Sequence, residues 1–435
     1  MEKLMPYDID EALKVLPVPQ IGELPTEFGR EMRKAFMLDP EYLPLNHGSY
    51  GTTPKYVDEY VTYLAKCAEY NPDKFMRHSI RPLIENSLKR VAPVLGVADH
   101  TELVYVFCAT AGFNTVIKSL KFEPGDVVLR YNTAYGACYN TISFVKDSGL
   151  CEAVDINLNF PCSDQEIIDR TIETIKEVTG STGNGKRIRL ALVDAIGSVP
   201  GIVFPFQELA KVFRSHGIPV FLDAAHAIGQ IDLDMDNLDV DYMVTNAHKW
   251  MYARRGCAIM YVKKELQKDI FPLTISWAYG DNEGFNESFL WQGTIDFSQY
   301  LSTCAALNFI EAVGGLKKIQ SYCRNLALEA ASLLESKYGL VGMCSEQNSH
   351  QIAHMINAKL PLEHGNPIHD AVGAGLLDSM LKKKNIIGSF YPHNGAWWVR
   401  LSAQIYVSIE DFDIFGKELL ESIKEDIATE TEKRK

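Results

Sequence analysis

The feature that most restricts what this chain can fold into is an alternation between about residues 100 and 265. Short apolar runs recur there: "ELVYVFCAT", "GDVVLRYN", "CEAVDIN", "IRLALVDAI", "IPVFLDAA", "DYMVTNA" and "CAIMYV". Longer stretches separate them. Two of these, "DQEIIDRTIETIKEV" and "PFQELAKVFRSHG", carry apolar residues at helical spacing. The short runs predict buried strands. Strand–helix alternation of this kind builds a mostly parallel sheet covered on both faces, an α/β architecture. In such sheets ligands bind outside the carboxyl ends of the strands.

The pattern changes near residue 300. "YLSTCAALNFIEAVGGLKKIQSYCRNLALEAASLLESKYG" predicts a long helical stretch with a Gly-Gly break. Strand-like "QIAHMINAKL" and "AWWVRLSAQ" follow, and a last helix ends in "EDIATETEKRK". The expected division is an N-terminal arm and helix over 1–45, a large domain over 46–300 and a smaller α+β domain over 301–435. "TGSTGNGK", residues 179–186, reads as a flexible surface loop. No internal repeat is visible.

Composition narrows the partners. A formal charge of -13, with no basic run outside the last few residues, argues against nucleic acid. No window approaches the roughly 18 consecutive apolar residues of a membrane span. The opening "MEKLMPYDIDEALKVLPVPQ" carries acids and prolines where a signal peptide would have a basic start and an apolar centre, so a cytoplasmic location is expected. The nine cysteines form no C-x-x-C pair, which speaks against a zinc ribbon or a disulfide framework; no metal is expected.

Chemistry-bearing residues follow the strand-like runs. Asp223 ends "IPVFLD", and His226 comes three residues later. Lys249 follows the next run, between His248 and Trp250. Thr110, Ala111 and Gly112 follow "VYVFCA" with the small residues and hydroxyl that hold a phosphate at a helix start. Tyr135 follows "GDVVLRYN", where an aromatic could cover a planar ring. Taken singly, each has a plainer reading: a helix cap, a core tyrosine, a turn, a structural histidine, a surface lysine. Together they are the set a phosphorylated pyridine aldehyde requires: an amine for the carbonyl, an acid for the ring nitrogen, a flat face and a phosphate cup. These are the parts of a pyridoxal phosphate (PLP) site.

At this point a family resemblance enters. "DAAHAIGQIDLDMDNLDVDYMVTNAHKWMYARRGCAIMYV" resembles the core of the class V aminotransferase family, in the branch that holds cysteine desulfurases and isopenicillin N epimerase-like proteins. "LPLNHGSYGTTP", "WQGTIDFSQYL" and "VRLSAQIYVSIEDF" are similar to the family too, so the likeness runs from about residue 40 to 415. It implies the aspartate-aminotransferase type I fold, with a seven-stranded large-domain sheet, and a homodimer with composite sites. Carried over, Lys249 would bond the PLP aldehyde, Asp223 would keep the pyridine nitrogen protonated, and His226 would reach the phenolic oxygen. Tyr135 would stack on the ring. Thr110, Ala111, Asn246 and His248 would bind the phosphate, joined by Thr294 from the other subunit. Arg400 would grip the substrate carboxylate, and Asn46, His47 and Gly48 would line the substrate side.

The departures from the pattern are informative. Cysteine desulfurases carry a nucleophilic cysteine shortly before the matching arginine; here "KKKNIIGSFYPHNGAWWVR" has none, and the last cysteine is Cys344. Ile295 stands where many bacterial relatives have arginine. The sequence is most similar to fungal-type C–S lyases of the ergothioneine pathway. The leading expectation is therefore β-elimination from a cysteine-derived substrate, releasing pyruvate and ammonia. Lys249 would take the α-proton, Tyr135 would protonate the departing sulfur, and Cys138 would stand nearby as a further candidate or a packing residue. Epimerisation, a decarboxylative alkaloid-type synthesis and a catalytically inert PLP fold stay open as alternatives.

Overall fold

The computed structural model describes residues 18–180, 185–280 and 284–435. The first part of the expected N-terminal arm, residues 1–17, and residues 181–184 of the expected surface loop lie outside the described residues.

All seven apolar runs are strands: β1 (Leu103–Val106), β2 (Val127–Tyr131), β3 (Glu152–Ile156), β4 (Ile188–Asp194), β5 (Val220–Asp223), β6 (Tyr242–Thr245) and β7 (Ala258–Val262). Among the described residues they form one sheet in the order β1-β7-β6-β5-β4-β2-β3. β7 runs antiparallel to both neighbours, and the other pairings are parallel. Side chains alternate across the strands and feed two cores. Leu129, Val193, Leu222 and Met243 enter one core, and Val128, Leu192, Phe221 and Val244 the other. This is why these strands read as continuous apolar runs: neither face meets water. β3 departs from the expectation of burial. It is an edge strand, with Glu152 exposed and only Ile156 fully buried.

Helices α1 (Lys55–Tyr70) and α2 (Ile80–Leu95) precede the sheet. α3 (Ala109–Ser119), α4 (Gly136–Asp147), α5 (Asp164–Thr179) and α6 (Phe206–Ser215) connect its strands, and the short α7 (Ala247–Trp250) leaves β6. α3 and α4 bury Phe113, Val116 and Ile142 in one core, while α5 and α6 bury Ile167, Leu209 and Phe213 in the other. A capping box between Ser163 and Glu166 starts α5.

The expected helical stretch after residue 297 is two helices, α8 (Ser298–Ala312) and α9 (Leu316–Tyr338). Gly314 and Gly315, at φ of 106° and 88°, make the break, in backbone space that a side chain would strain. α8 packs against α1 and α2. Beyond α9, β8 (Met355–Glu363), β9 (Ser389–His393) and β10 (Ala396–Ser402) form an antiparallel sheet in the order β9-β10-β8. α9 and α10 (Pro367–Lys384) pack on it, and α11 (Ile409–Lys433) packs on those two helices. The N-terminal segment is tied to this region. Leu43–Pro44 pairs in parallel with Ile386–Ile387, and Arg30 and Arg33 both bind the buried Asp411 carboxylate at 2.9 Å. Among the described residues no helix is long and apolar enough to cross a membrane.

Candidate active site

A cavity of about 430 Å³ is lined by Ser49, Tyr50, Tyr135, Ser198, Lys249 and Arg400, among others. The fold explains how they meet. Lys249 stands in α7, one turn past β6; Tyr135 caps α4 after β2; Arg400 projects from β10.

Lys249 is held from two sides. Its backbone carbonyl accepts a hydrogen bond from His47 Nε2 at 2.7 Å, and its Nζ lies 3.0 Å from His226 Nε2. Burial, and then the positive charge of Arg400, lower its pKa from 10.5 to about 7, against the opposite pull of Asp223. A lysine in this state has a free-base fraction at neutral pH, which carbonyl chemistry requires.

His47 faces away from the role expected for it. It is buried, its Nδ1 meets the Tyr406 hydroxyl at 2.7 Å, and it is not among the residues lining the cavity. Burial lowers its pKa to about 4, so the neutral ring donates to the Lys249 carbonyl and accepts from Tyr406. It positions the lysine's backbone. Gly48 does line the cavity, and a Cβ there would stand 2.8 Å from Met355 Sδ and 3.2 Å from the Trp250 ring. Asn46 reaches Arg400: one Nη donates to Asn46 Oδ1 and Ser49 Oγ, both at 3.0 Å, and the other to the Ser198 carbonyl at 2.7 Å. Arg400 is buried, and its Nε has no partner among the described residues. An orphaned charged donor of this kind calls for an anion.

Asp223, at the end of β5, is buried. It accepts from the Ala225 amide at 3.0 Å and from the Cys138 thiol at 3.5 Å, and it makes no ion pair among the described residues. Burial raises its pKa. Burial also pushes the Cys138 thiol well up, which makes Cys138 a neutral donor to Asp223 and not a reactive thiolate. Asp194 sits beside Asp223 in register on β4. Burial first and Asp223 second hold its carboxyl well above the usual range.

The expected phosphate residues lie at the start of α3. Asn246 Oδ1 accepts from the Ala109 amide at 2.9 Å, and the first helical backbone bond is Gly112 N–H to the Cys108 carbonyl. The Thr110 and Ala111 amides therefore have no carbonyl within the helix to bond. His248 Nδ1 lies 2.9 Å from the Cys257 carbonyl, and burial holds its pKa near 4. The neutral ring leaves a bare Nε2, so His248 must take up a proton before it can donate to a phosphate. Tyr135 is 48% exposed at the cavity mouth. Thr294 is not brought to this cavity by its own chain. It is exposed, with Ile295, in a separate concavity beside α1.

Four contributors go beyond what the sequence motifs indicate: Asp194, Ser49, Ser198 and Trp250. Asp194 carries a signal that could have found it, because it ends "IRLALVD" as Asp223 ends "IPVFLD". The other three act through side-chain direction or a backbone carbonyl, which spacing does not reveal.

The residues fit PLP. Asp223 has the buried carboxylate and the open partnership that a pyridinium nitrogen fills. The Thr110 and Ala111 amides suit a phosphate, and Lys249 suits an aldehyde. The comparisons agree. The family model described as "Aminotransferase class-V" matches residues 53–415. Hercynylcysteine sulfoxide lyase of Schizosaccharomyces pombe is 29% identical over 400 residues, covering 90% of this chain and 96% of its own length. A probable chloroplastic L-cysteine desulfhydrase of Arabidopsis thaliana is 29% identical over 404 residues, 86% of this chain and 81% of its own length. The solved complex of the cystine C–S lyase C-DES with its product cysteine persulfide superposes with a TM-score of 0.71 at 17% identity, covering 87% of this chain and 97% of that one. The protein shares its fold type and, with PLP as cofactor, belongs to the class V aminotransferase family.

Proposed function

We propose that the protein is a C–S lyase that carries out β-elimination on a cysteine-derived amino acid, R–S–CH2–CH(NH3+)–CO2−, or on the corresponding sulfoxide. Bound PLP supplies an electron sink for negative charge at the carbon beside the substrate's amino group. Arg400 takes the carboxylate. Its two Nη groups are held by Asn46, Ser49 and Ser198, which leaves the guanidinium fixed for an anion. The Lys249 amine removes the α-proton as general base. The Cβ–S bond then breaks, its electron pair leaves with sulfur, and the Tyr135 hydroxyl donates the proton. Burial raises the Tyr135 pKa above 10.0, so it carries that proton at neutral pH. The three-carbon fragment leaves as an enamine, and water converts it to pyruvate and ammonia.

One observation carries this reading over a desulfurase: none of the residues lining the cavity is a cysteine. All nine cysteines are described, and Cys138, which bonds Asp223, is buried as a thiol. Sulfur therefore has no thiolate of this chain to move to, and it leaves with its substituent. The names of the relatives point to the same bond. A hercynylcysteine sulfoxide-like substrate, in an ergothioneine-type pathway, is the specific form we favour. The nine free cysteines suit a cytoplasmic setting. The exposed Thr294 suits a homodimer in which it meets the partner's cofactor phosphate.

The test is a panel of S-substituted cysteines and their sulfoxides, read for pyruvate together with the cofactor spectrum. Stoichiometric pyruvate and thiol or sulfenate are expected. Exchange of the α-hydrogen with solvent deuterium and no pyruvate would assign an epimerase instead; carbon dioxide release would assign a decarboxylative synthase.

A further inference from the structure

Trp250 follows Lys249 in the chain and is fully buried. Its indole Nε1 lies 3.2 Å from Nδ1 of His226, and Nε2 of that ring lies 3.0 Å from Nζ of Lys249. The hydrogen inventory of these three groups has one consistent solution. An indole nitrogen only donates, so His226 Nδ1 accepts and carries no hydrogen. An imidazole bare at Nδ1 carries its hydrogen at Nε2. That hydrogen faces Lys249, which must receive it on a lone pair, and an ammonium has none. An ammonium could keep the contact only by donating to Nε2. The ring would then be bare at both nitrogens, an imidazolate.

The indole has little freedom to do otherwise. Its ring packs 4.8 Å from the His47 ring and 5.4 Å from the His354 ring, centroid to centroid. The backbone of His226 is pinned as well, its carbonyl accepting from Gln230 Nε2 at 2.7 Å. Gly48 completes the clamp, since a Cβ there would stand 3.2 Å from the indole and 3.4 Å from the His226 ring.

We propose that Trp250 is a positioning residue that holds His226 as a hydrogen-bond donor and, through it, Lys249 as the free amine, so that the cofactor-free protein captures the PLP aldehyde at neutral pH. The proposal rests on Lys249 being the amine that bonds the cofactor. The charged and titratable groups around that amine are Asp223, which favours the ammonium; Arg400, which opposes it; and His47, His226 and His248, which are all neutral. In capture the amine lone pair attacks the aldehyde carbon, and the carbonyl oxygen leaves as water.

Two measurements on the cofactor-free protein decide it. In the first, ring-nitrogen NMR of 15N-histidine-labelled protein, with the His226 signals identified by their loss in His226→Gln, should show Nε2 protonated and Nδ1 bare. A ring protonated at Nδ1, or averaging between the two forms, overturns the proposal. In the second, capture of added pyridoxal phosphate is followed by absorbance across pH and confirmed by borohydride trapping. Trp250→Phe keeps an aromatic ring and removes the donor. It should lower the capture rate at pH 7 by about fivefold, as a rise of about one unit from a pKa of about 7 would give, and leave the alkaline plateau within about twofold. In a His226→Gln background the same substitution should add nothing. Capture by Trp250→Phe at the wild-type rate at pH 7, or a loss equal at every pH, overturns the proposal. If wild-type protein forms no trappable link at all, the cofactor role of Lys249 fails with it, whereas the NMR result stands independently.

Discussion

The inner wall of the cavity and the segment around residues 271–295 are built on opposite terms. Arg400 on the inner wall, and His47 and His226 behind it, are almost wholly buried, and each is held by named hydrogen bonds. In the other segment Phe271, Leu273, Ile275, Tyr279 and Ile295 are exposed, and Trp277 is 86% exposed. Exposed apolar side chains in such number are what a protein contact would cover. The contrast teaches that one chain brings Lys249, Tyr135 and Arg400 to one cavity and leaves Thr294 outside it. In our proposal a second copy completes it.

The largest effects should come from the inner wall. Lys249→Ala should lower turnover by about 10⁴-fold, the upper range for a general base, and abolish any borohydride-fixed link to PLP, read by mass spectrometry. A fixed link in that variant would place the reactive amine elsewhere. Asp223→Ala should lower turnover by about 10²- to 10³-fold, the usual size for losing one preorganised electrostatic contact, with a smaller loss of PLP content. Near-normal turnover would mean that another group, Asp194 being nearest in register, serves the ring nitrogen. Arg400→Lys keeps the charge and loses the fork. KM for amino-acid substrates should rise by about ten- to a hundredfold, as expected for a charged hydrogen bond, while decarboxylated analogues should hardly respond.

Acidity should act on the same wall with a smaller effect. Burial, then Arg400, lowers the Lys249 pKa from 10.5 to about 7, so the amine is free above that pH and gains a proton below it. The rate of PLP capture by cofactor-free protein should therefore hold above pH 8 and fall as pH drops through 7, approaching about tenfold per unit. A flat profile from pH 5 to 9 would remove the sheltered-amine account. The outer half gives the smallest expected number. Mixing Lys249→Ala chains with Thr294→Trp chains should return activity towards about half the wild-type value per heterodimer, an estimate that treats the sites as independent. Exchanged but inactive mixtures would leave Thr294 without its assigned place.

The sheet was legible because its strands are buried on both faces. Each apolar run therefore stands out without alternation, and all seven runs are strands. The sequence implies a buried β3; its partial exposure follows from its edge position, which a short apolar run does not disclose. Lys249, Asp223 and Arg400 were legible as residues at strand ends or in family motifs. The partners that tune them were not. Trp250 acts on His226, and Ser198 on Arg400 through a carbonyl, so only the direction of a side chain and the path of a loop reveal them. His47 shows the reverse case: its motif is legible, but its ring turns to Tyr406 and the Lys249 carbonyl.

The arm that supports Arg400 has a consequence for biosynthesis. Asn46 and Arg400 are 354 positions apart, and Arg30 meets Asp411 across 381. No ribosome-bound chain can close these contacts until Arg400 and Asp411 have been made. The central sheet and α7 are complete in sequence long before that, since β7 ends at Val262. Growing chains therefore possess Lys249, Asp223 and the start of α3 while the Arg400 guanidinium does not yet exist, and the N-terminal segment waits for β10 and α11 to emerge.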